Sequence, residues 1–169
     1  MRCRSRSDLQ GFDRMSLFDR WMLDCGCGHA MKGTVNVDLH PEETEHRGEG
    51  GRINPHGKLF VKADIHHLPF PSHFFNIAVA NHLLEHLEDP EVAIAEMIRV
   101  AREIRISVPH RFTIRSGYRQ RSHKHKFNEA WFSHAFKQQG IRMLSRSTRF
   151  GLFGVPEEIS VIGERDELK

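Results

Sequence analysis

The stretch from Trp21 to Asp38, Trp-Met-Leu-Asp-Cys-Gly-Cys-Gly-His-Ala-Met-Lys-Gly-Thr-Val-Asn-Val-Asp, constrains this chain more than any other. It predicts a short apolar strand (Trp21–Leu23), a glycine turn (Gly26, Gly28), and a second strand (Thr34–Val37) that delivers Asp38 at its C-terminal end. Glycines directly after a strand let backbone approach a ligand, because no Cβ stands in the way. A carboxylate ending the next strand is placed to accept hydrogen bonds from a ribose diol. Taken alone, the pattern also fits a tight turn between two core strands.

Further along, Lys58–Asp64 reads as a third strand, again ending in a carboxylate, after a long acidic, glycine-rich loop over 39–57. Phe74–Ala80 is nearly continuous apolar sequence, the mark of a strand buried on both faces. Asp89-Pro90 opens a helix whose Ile94, Met97, Ile98 and Ala101 fall on one face. Ile104–Val108 is a fifth strand. Asn128 caps a last helix that packs Trp131, Phe132, Ala135 and Phe136 and stops at Gly140. Two strands follow, at Ile141–Phe150 and Glu158–Gly163. Alternating strands and helices with a two-strand finish predict a Rossmann-like α/β fold: a mostly parallel sheet with a C-terminal antiparallel pair. Length fits a single domain over 1–169, with residues 1–12 as a flexible arm.

Composition narrows the class. With 38% hydrophobic and 28% charged residues the chain is an ordinary globular one, and no apolar run approaches the roughly 20 residues of a membrane span. The basic N-terminus lacks the apolar segment of a secretory signal. Three cysteines, Cys3, Cys25 and Cys27, make no disulfide framework, so a reducing, cytoplasmic setting is expected.

Asp24, Asp38 and Asp64 thus end three successive strands, on the side of an open parallel sheet where ligands bind. Their chemistry suits a nucleoside bearing an amine, with Asp24 near the cation, Asp38 on the ribose and Asp64 accepting from an adenine amino group.

Here the chain resembles a known family, the class I S-adenosylmethionine-dependent methyltransferases, and in particular their type 11 branch. The blocks that carry the resemblance are Leu23-Asp24-Cys25-Gly26-Cys27-Gly28, Val35-Asn36-Val37-Asp38 and Ala63-Asp64-Ile65 with Leu68-Pro69-Phe70. Phe75-Asn76-Ile77-Ala78-Val79 follows, leading into His82-Leu83-Leu84-Glu85-His86-Leu87 and Asp89-Pro90. The resemblance implies S-adenosyl-L-methionine as cofactor. Asp24, Gly26 and Gly28 would hold its methionine end, Asp38 its ribose, Asp64 and Ile65 its adenine, and Asn81 would complete the cofactor set. His82 and His86 would sit near the donated methyl as general base or as walls of the acceptor pocket. The site so assigned includes no metal.

Two departures from the family pattern matter. Only 12 positions separate Gly26 from Asp38, against about 20 in a dinucleotide fold, so the first helix is nearly deleted. The Lys-Pro-Gly-Gly turn before the fifth strand is also missing. One sheet face then lacks helical cover, which predicts a homodimer or an N-terminal segment folded over it.

His82-Leu83-Leu84-Glu85-His86 also fits H-x-x-E-H, the inverted zinc-peptidase signature, which needs a long helix and a third ligand. From Ser107 to Asn128 no acidic residue occurs, while Arg111, Arg115, Arg119, Arg121, Lys124, Lys126, His110, His123 and His125 do. Such a run suits an anionic acceptor, a small molecule or a nucleic acid, and equally a solvated basic loop. Phe112, Tyr118 and Phe127 are its only candidate stacking platforms. The exocyclic-amine signature Asp/Asn-Pro-Pro-aromatic is absent, since the fourth strand ends in Ala80-Asn81-His82-Leu83. Besides the methyltransferase, two readings stay open: a cofactor-binding but catalytically weak homologue, and a basic nucleic-acid-binding module.

Overall fold

The structure, a computed structural model, describes residues 21–42, 52–110, 123–151, 154 and 156–166. The arm over 1–12, residues 43–51 of the loop after Asp38, and Arg111, Phe112, Arg115, Tyr118, Arg119 and Arg121 lie outside the described residues. Seven strands, β1 (Met22–Cys25), β2 (Val35–Asp38), β3 (Leu59–Lys62), β4 (Phe75–Asn81), β5 (Ala101–Pro109), β6 (Ile141–Phe150) and β7 (Pro156–Arg165), form one sheet in the order β3-β2-β1-β4-β5-β7-β6. β7 runs antiparallel to both its neighbours, and the other pairings are parallel. The mostly parallel sheet with its antiparallel finish is the fold expected from the sequence. Its strand order reverses between β1 and β4, where open α/β sheets open a crevice at their carboxyl ends.

Two α-helices occur among the described residues, α1 (Pro90–Val100) and α2 (Glu129–Gln138). Each follows a strand and precedes one parallel to it further out, so the right-handed crossover rule puts both on one face. Strand parity agrees. Leu23, Cys25, Val35, Val37, Ala78, Ala80, Ile104, Ile106, Val108, Ile159 and Val161 share that face and form one core with Ile94, Met97, Ile98, Phe132 and Phe136 of the helices.

Both helix starts are where the sequence puts them. Asn128 accepts the Trp131 N–H at 2.9 Å, whereas Asp89 holds the cap position without a side-chain cap bond and leaves the start to Pro90. Phe132, Ala135 and Phe136 are buried as expected, with Trp131 half-buried. α1 is clasped to the preceding turn. Arg99 meets the Glu96 carboxylate through Nε and Nη2 at 2.7 and 2.8 Å and also donates to the carbonyls of Leu68 and Phe70; Glu96 accepts the Leu68 N–H.

The opposite face departs from expectation. From β4 outward its register positions include Asn81, Glu103, Arg105, Ser107, Ser160, Glu158 and Glu164, and it carries the ion pairs Arg105–Glu103, Arg142–Glu164 and Arg149–Glu158. A face of this chemistry can meet water, as one side of an antiparallel sheet does, and needs no helix. Nearer β2 and β3 a small second cluster of Cys27, Met31, Ile53 and Phe60 supplies cover in place of the deleted helix.

Candidate functional site

A cavity of about 800 Å³ lies along the carboxyl ends of β2 and β3 and the segments that follow β1 and β4, within the size range of small-molecule sites. Gly26, Asp38, Asp64, Ile65 and His86 line it, with apolar walls from Val37, Leu83, Leu87 and Val92.

Gly26 makes the turn after β1 with φ +64°, and a Cβ there would stand 2.7 Å from Leu83 Cδ1. The left-handed backbone favours glycine, and an added Cβ would push the Leu83 side chain aside. The next glycine acts through its N–H. Gly28 donates to Asp38 Oδ2 at 3.1 Å, while the His40 N–H donates to Asp38 Oδ1 at 2.9 Å. The β2 carboxylate is thereby fixed at the cavity wall.

Asp64 lies beyond the end of β3, not within it. Its Oδ1 accepts the His66 N–H at 2.9 Å and caps a single 3-10 turn, Ile65–His67. The same oxygen meets His66 Nδ1 at 2.7 Å. Partial burial works to raise the carboxyl, but the His66 N–H and imidazole outweigh it and hold Asp64 below the ordinary carboxylate range. His66 is half-buried and lines the cavity. The Asp-x-His spacing across a capped turn was its only local signal.

Asp24 takes another position. β1 runs on to Cys25, so Asp24 lies inside the sheet beside Asn36 and Val79, not at the rim that a strand ending at Leu23 would give it. It is 4% exposed, accepts the Lys32 N–H at 2.8 Å, and is not among the residues lining the cavity. Burial pushes its carboxyl above the ordinary range, partly offset by that N–H and by the ammonium groups of Lys32 and Lys58. Gly28 and Asn81 also stand off the lining. Asn81 is exposed, with its Oδ1 accepting the Ser107 hydroxyl at 3.0 Å.

After β4 the chain turns sharply at His82, a non-glycine residue at φ +50° whose N–H donates to the Ser107 carbonyl. Leu84–His86 is one 3-10 turn. The long helix that an H-x-x-E-H peptidase needs is therefore not formed, and the peptidase reading loses its scaffold. The tight turn instead buries Glu85, 1% exposed, within 3.6 Å of His82 Nδ1 and 3.9 Å of His86 Nε2. That carboxylate holds His82 above the usual imidazole range against the burial that opposes it.

The described end of the basic run closes over this turn. Lys124 N–H donates to the Glu85 carbonyl at 2.7 Å, the Lys124 ammonium pairs with Glu88, and His125 Nε2 lies 3.0 Å from the Glu88 carbonyl. His123 thereby stacks edge-on against His86 with ring centroids 4.8 Å apart; burial and the neighbouring His86 lower its imidazole. Phe127, a stacking candidate in the sequence, is 1% exposed and packs on Trp131 and Phe132. It is core.

A family model described as a methyltransferase domain, of type 11, matches residues 23–103. No curated protein sequence matches the chain. Among solved structures, an S-adenosylmethionine-dependent methyltransferase from Thermotoga maritima superposes with a TM-score of 0.66 at 15% identity, covering 86% of this chain and 81% of its own. The Haloferax volcanii protein assigned as a methyltransferase and solved with the Trm112 activator gives 0.67 at 12% identity, with 89% and 84% covered. Magnesium protoporphyrin IX methyltransferase from Synechocystis, solved with S-adenosylhomocysteine bound, gives 0.59 at 15%, with 89% and 76% covered. At these identities the structures speak for the fold, while the domain match speaks for residues 23–103. Residues 23–103 thus match a methyltransferase domain of type 11, on a sheet whose fold is that of S-adenosylmethionine-dependent methyltransferases.

Proposed function

We propose that the cavity lined by Gly26, Asp38, Asp64 and Ile65 is where this enzyme binds its methyl donor, and that the acceptor enters past His86. The observation that carries this reading is the pairing of two fixed carboxylates with a left-handed glycine turn around one cavity of about 800 Å³. Bound there, S-adenosylmethionine supplies an electrophilic methyl group on a sulfonium. Asp38 would accept from its ribose hydroxyls and Asp64 from its adenine amine, while Val37, Ile65, Leu83 and Leu87 keep water from the apolar surface of the nucleoside. Gly26 and Gly28 would lie along the methionine end. Asp24 would act there from beneath, by holding the 27–33 loop through Lys32, and Asn81 by fixing the end of β4 on Ser107. Transfer to a positioned nucleophile needs little beyond in-line approach. His86, on the lining, is the proposed base or acceptor wall, with His82 braced behind it by Glu85.

We further propose an anionic acceptor, a small molecule or a nucleic acid, on the strength of the cationic sequence between Ser107 and Asn128. The described part of that run weakens the case for base stacking, because Phe127 is core and Lys124 is already paired. A homodimer also gains less from the uncovered face than the sequence suggested, since that face carries its own ion pairs. No helix among the described residues is long and apolar enough to cross a membrane. Cys25 and Cys27 are buried thiols outside any disulfide, compatible with the proposed cytoplasmic setting.

Calorimetric titration with S-adenosylmethionine and S-adenosylhomocysteine, followed by transfer of labelled methyl to pools of RNA, DNA, protein and metabolites, tests the proposal. Saturable binding with label in one pool is expected. Binding without transfer to any pool indicates the catalytically weak homologue, and nucleic-acid binding without donor binding indicates the basic module.

A further inference from the structure

Glu85 is the most deeply placed carboxylate on the cleft side of the molecule. It is 1% exposed, and neither of its oxygens accepts a hydrogen bond among the described residues. A buried carboxylate in that condition is costly and calls for a cation. What surrounds it is imidazole. His86 Nε2 lies 3.9 Å and His82 Nδ1 3.6 Å from Oε1, both beyond ordinary hydrogen-bond length. His123 joins them from the far end of the basic run, and ligand atoms, one each from Glu85, His86 and His123, lie within 4.8 Å of one another.

We propose that Glu85, His86 and His123 form a binding site for a divalent transition metal of the zinc class, with His82 as the adjacent fourth group. The ligand set fits that class. Neutral imidazoles with one carboxylate suit zinc and its neighbours, whereas magnesium and calcium take oxygen almost throughout. Two ligand atoms on a tetrahedral zinc at about 2.1 Å stand about 3.4 Å apart, so side-chain shifts of under about 1 Å close the observed spacing.

The scaffold is already fixed. The single turn Leu84–His86 presents two ligands, and the backbone bond from Lys124 N–H to the Glu85 carbonyl delivers the third. This is not the His82/His86 pair of the peptidase signature. Here the glutamate is a ligand, and the third ligand comes from after β5. Because His86 also lines the large cavity, the metal would sit on its rim.

The site does not depend on donor binding, and its test uses metal alone. The full chain, stripped with chelator, is titrated with Zn²⁺ in a calorimeter and with Co²⁺ in a spectrophotometer. One Zn²⁺ per chain and the visible bands of four-coordinate Co²⁺ are expected, with no Mg²⁺ binding. Glu85→Gln and His123→Ala should each weaken Zn²⁺ at least tenfold, whereas His134→Ala, an exposed histidine on α2, should leave it unchanged. His123→Ala spares the buried carboxylate, so it serves if Glu85→Gln fails to fold. The proposal is overturned if no Zn²⁺ binds, or if His123→Ala binds it as tightly as wild type.

Discussion

Gly28 donates its backbone N–H to Asp38 Oδ2 at 3.1 Å, tying the turn after β1 to the carboxylate that ends β2. The two halves of the proposed donor site therefore hold each other in place before a ligand arrives. Asp38 therefore has a structural and a binding role, and a substitution touches both. Asn retains an oxygen for only one of the two N–H donors, Gly28 and His40, and loses the charge-assisted acceptor for a ribose hydroxyl. Asp38→Asn should weaken S-adenosylmethionine binding by about 1–3 kcal/mol and also lower the melting temperature. Calorimetry showing an unchanged Kd contradicts the ribose assignment.

Gly26→Ala places a Cβ 2.7 Å from Leu83 Cδ1 on a backbone at φ +64°. The left-handed conformation alone costs about 1–2 kcal/mol, and the collision adds to it. The melting temperature and donor affinity should both fall. Adding Leu83→Ala should relieve the collision but not the backbone cost, so the double variant recovers only in part relative to Leu83→Ala alone. Wild-type stability in the single variant would show that the turn is looser than its geometry.

The Glu96–Arg99 clasp gives a pH dependence whose sign is fixed. Arg99 hydrogen bonds hold Glu96 below the ordinary glutamate range, burial opposes them, and the Leu68 N–H assists. A folded-state value below the unfolded one stabilises the protein at neutral pH, and this contribution is lost as pH falls through the folded value. Glu96→Gln should cost about 1 kcal/mol at pH 7, discounted because the pair is partly open to water. It should also flatten the loss of stability below about pH 4. Urea titrations across pH check both.

Gly163 lies on β7 where an added Cβ would approach Phe136 of α2 to 2.5 Å. Gly163→Ala should destabilise by about 1–3 kcal/mol through overpacking, and Phe136→Leu should cost less in that background than in wild type. Urea midpoints for the four proteins of the cycle decide this, and additive costs would contradict the contact.

Much of this arrangement was legible locally. The glycine turn, the aspartates near the strand ends, the Asn128 cap and the helical face of Ile94, Met97 and Ile98 each rest on residues close in sequence. Errors came where one residue of strand length decides an outcome. Asp24 belongs inside β1 because the strand runs two residues past Leu23, and a local pattern does not fix an end that closely. The polar second face was written in the alternation Arg102-Glu103-Ile104-Arg105-Ile106-Ser107. It was hidden by the assumption that every strand of a parallel sheet is buried on both sides. The meeting of His123 with Glu85 and His86 had no local signal, because it depends on a backbone hydrogen bond between segments on either side of β5.

The central claim is tested most directly by a crystal structure grown with S-adenosylhomocysteine. The expected density has ribose hydroxyls on the Asp38 carboxylate, adenine beside Asp64 and Ile65, and the homocysteine chain passing Gly26. Nucleoside bound away from this cavity, or Asp38 and Asp64 both clear of it, would contradict the assignment.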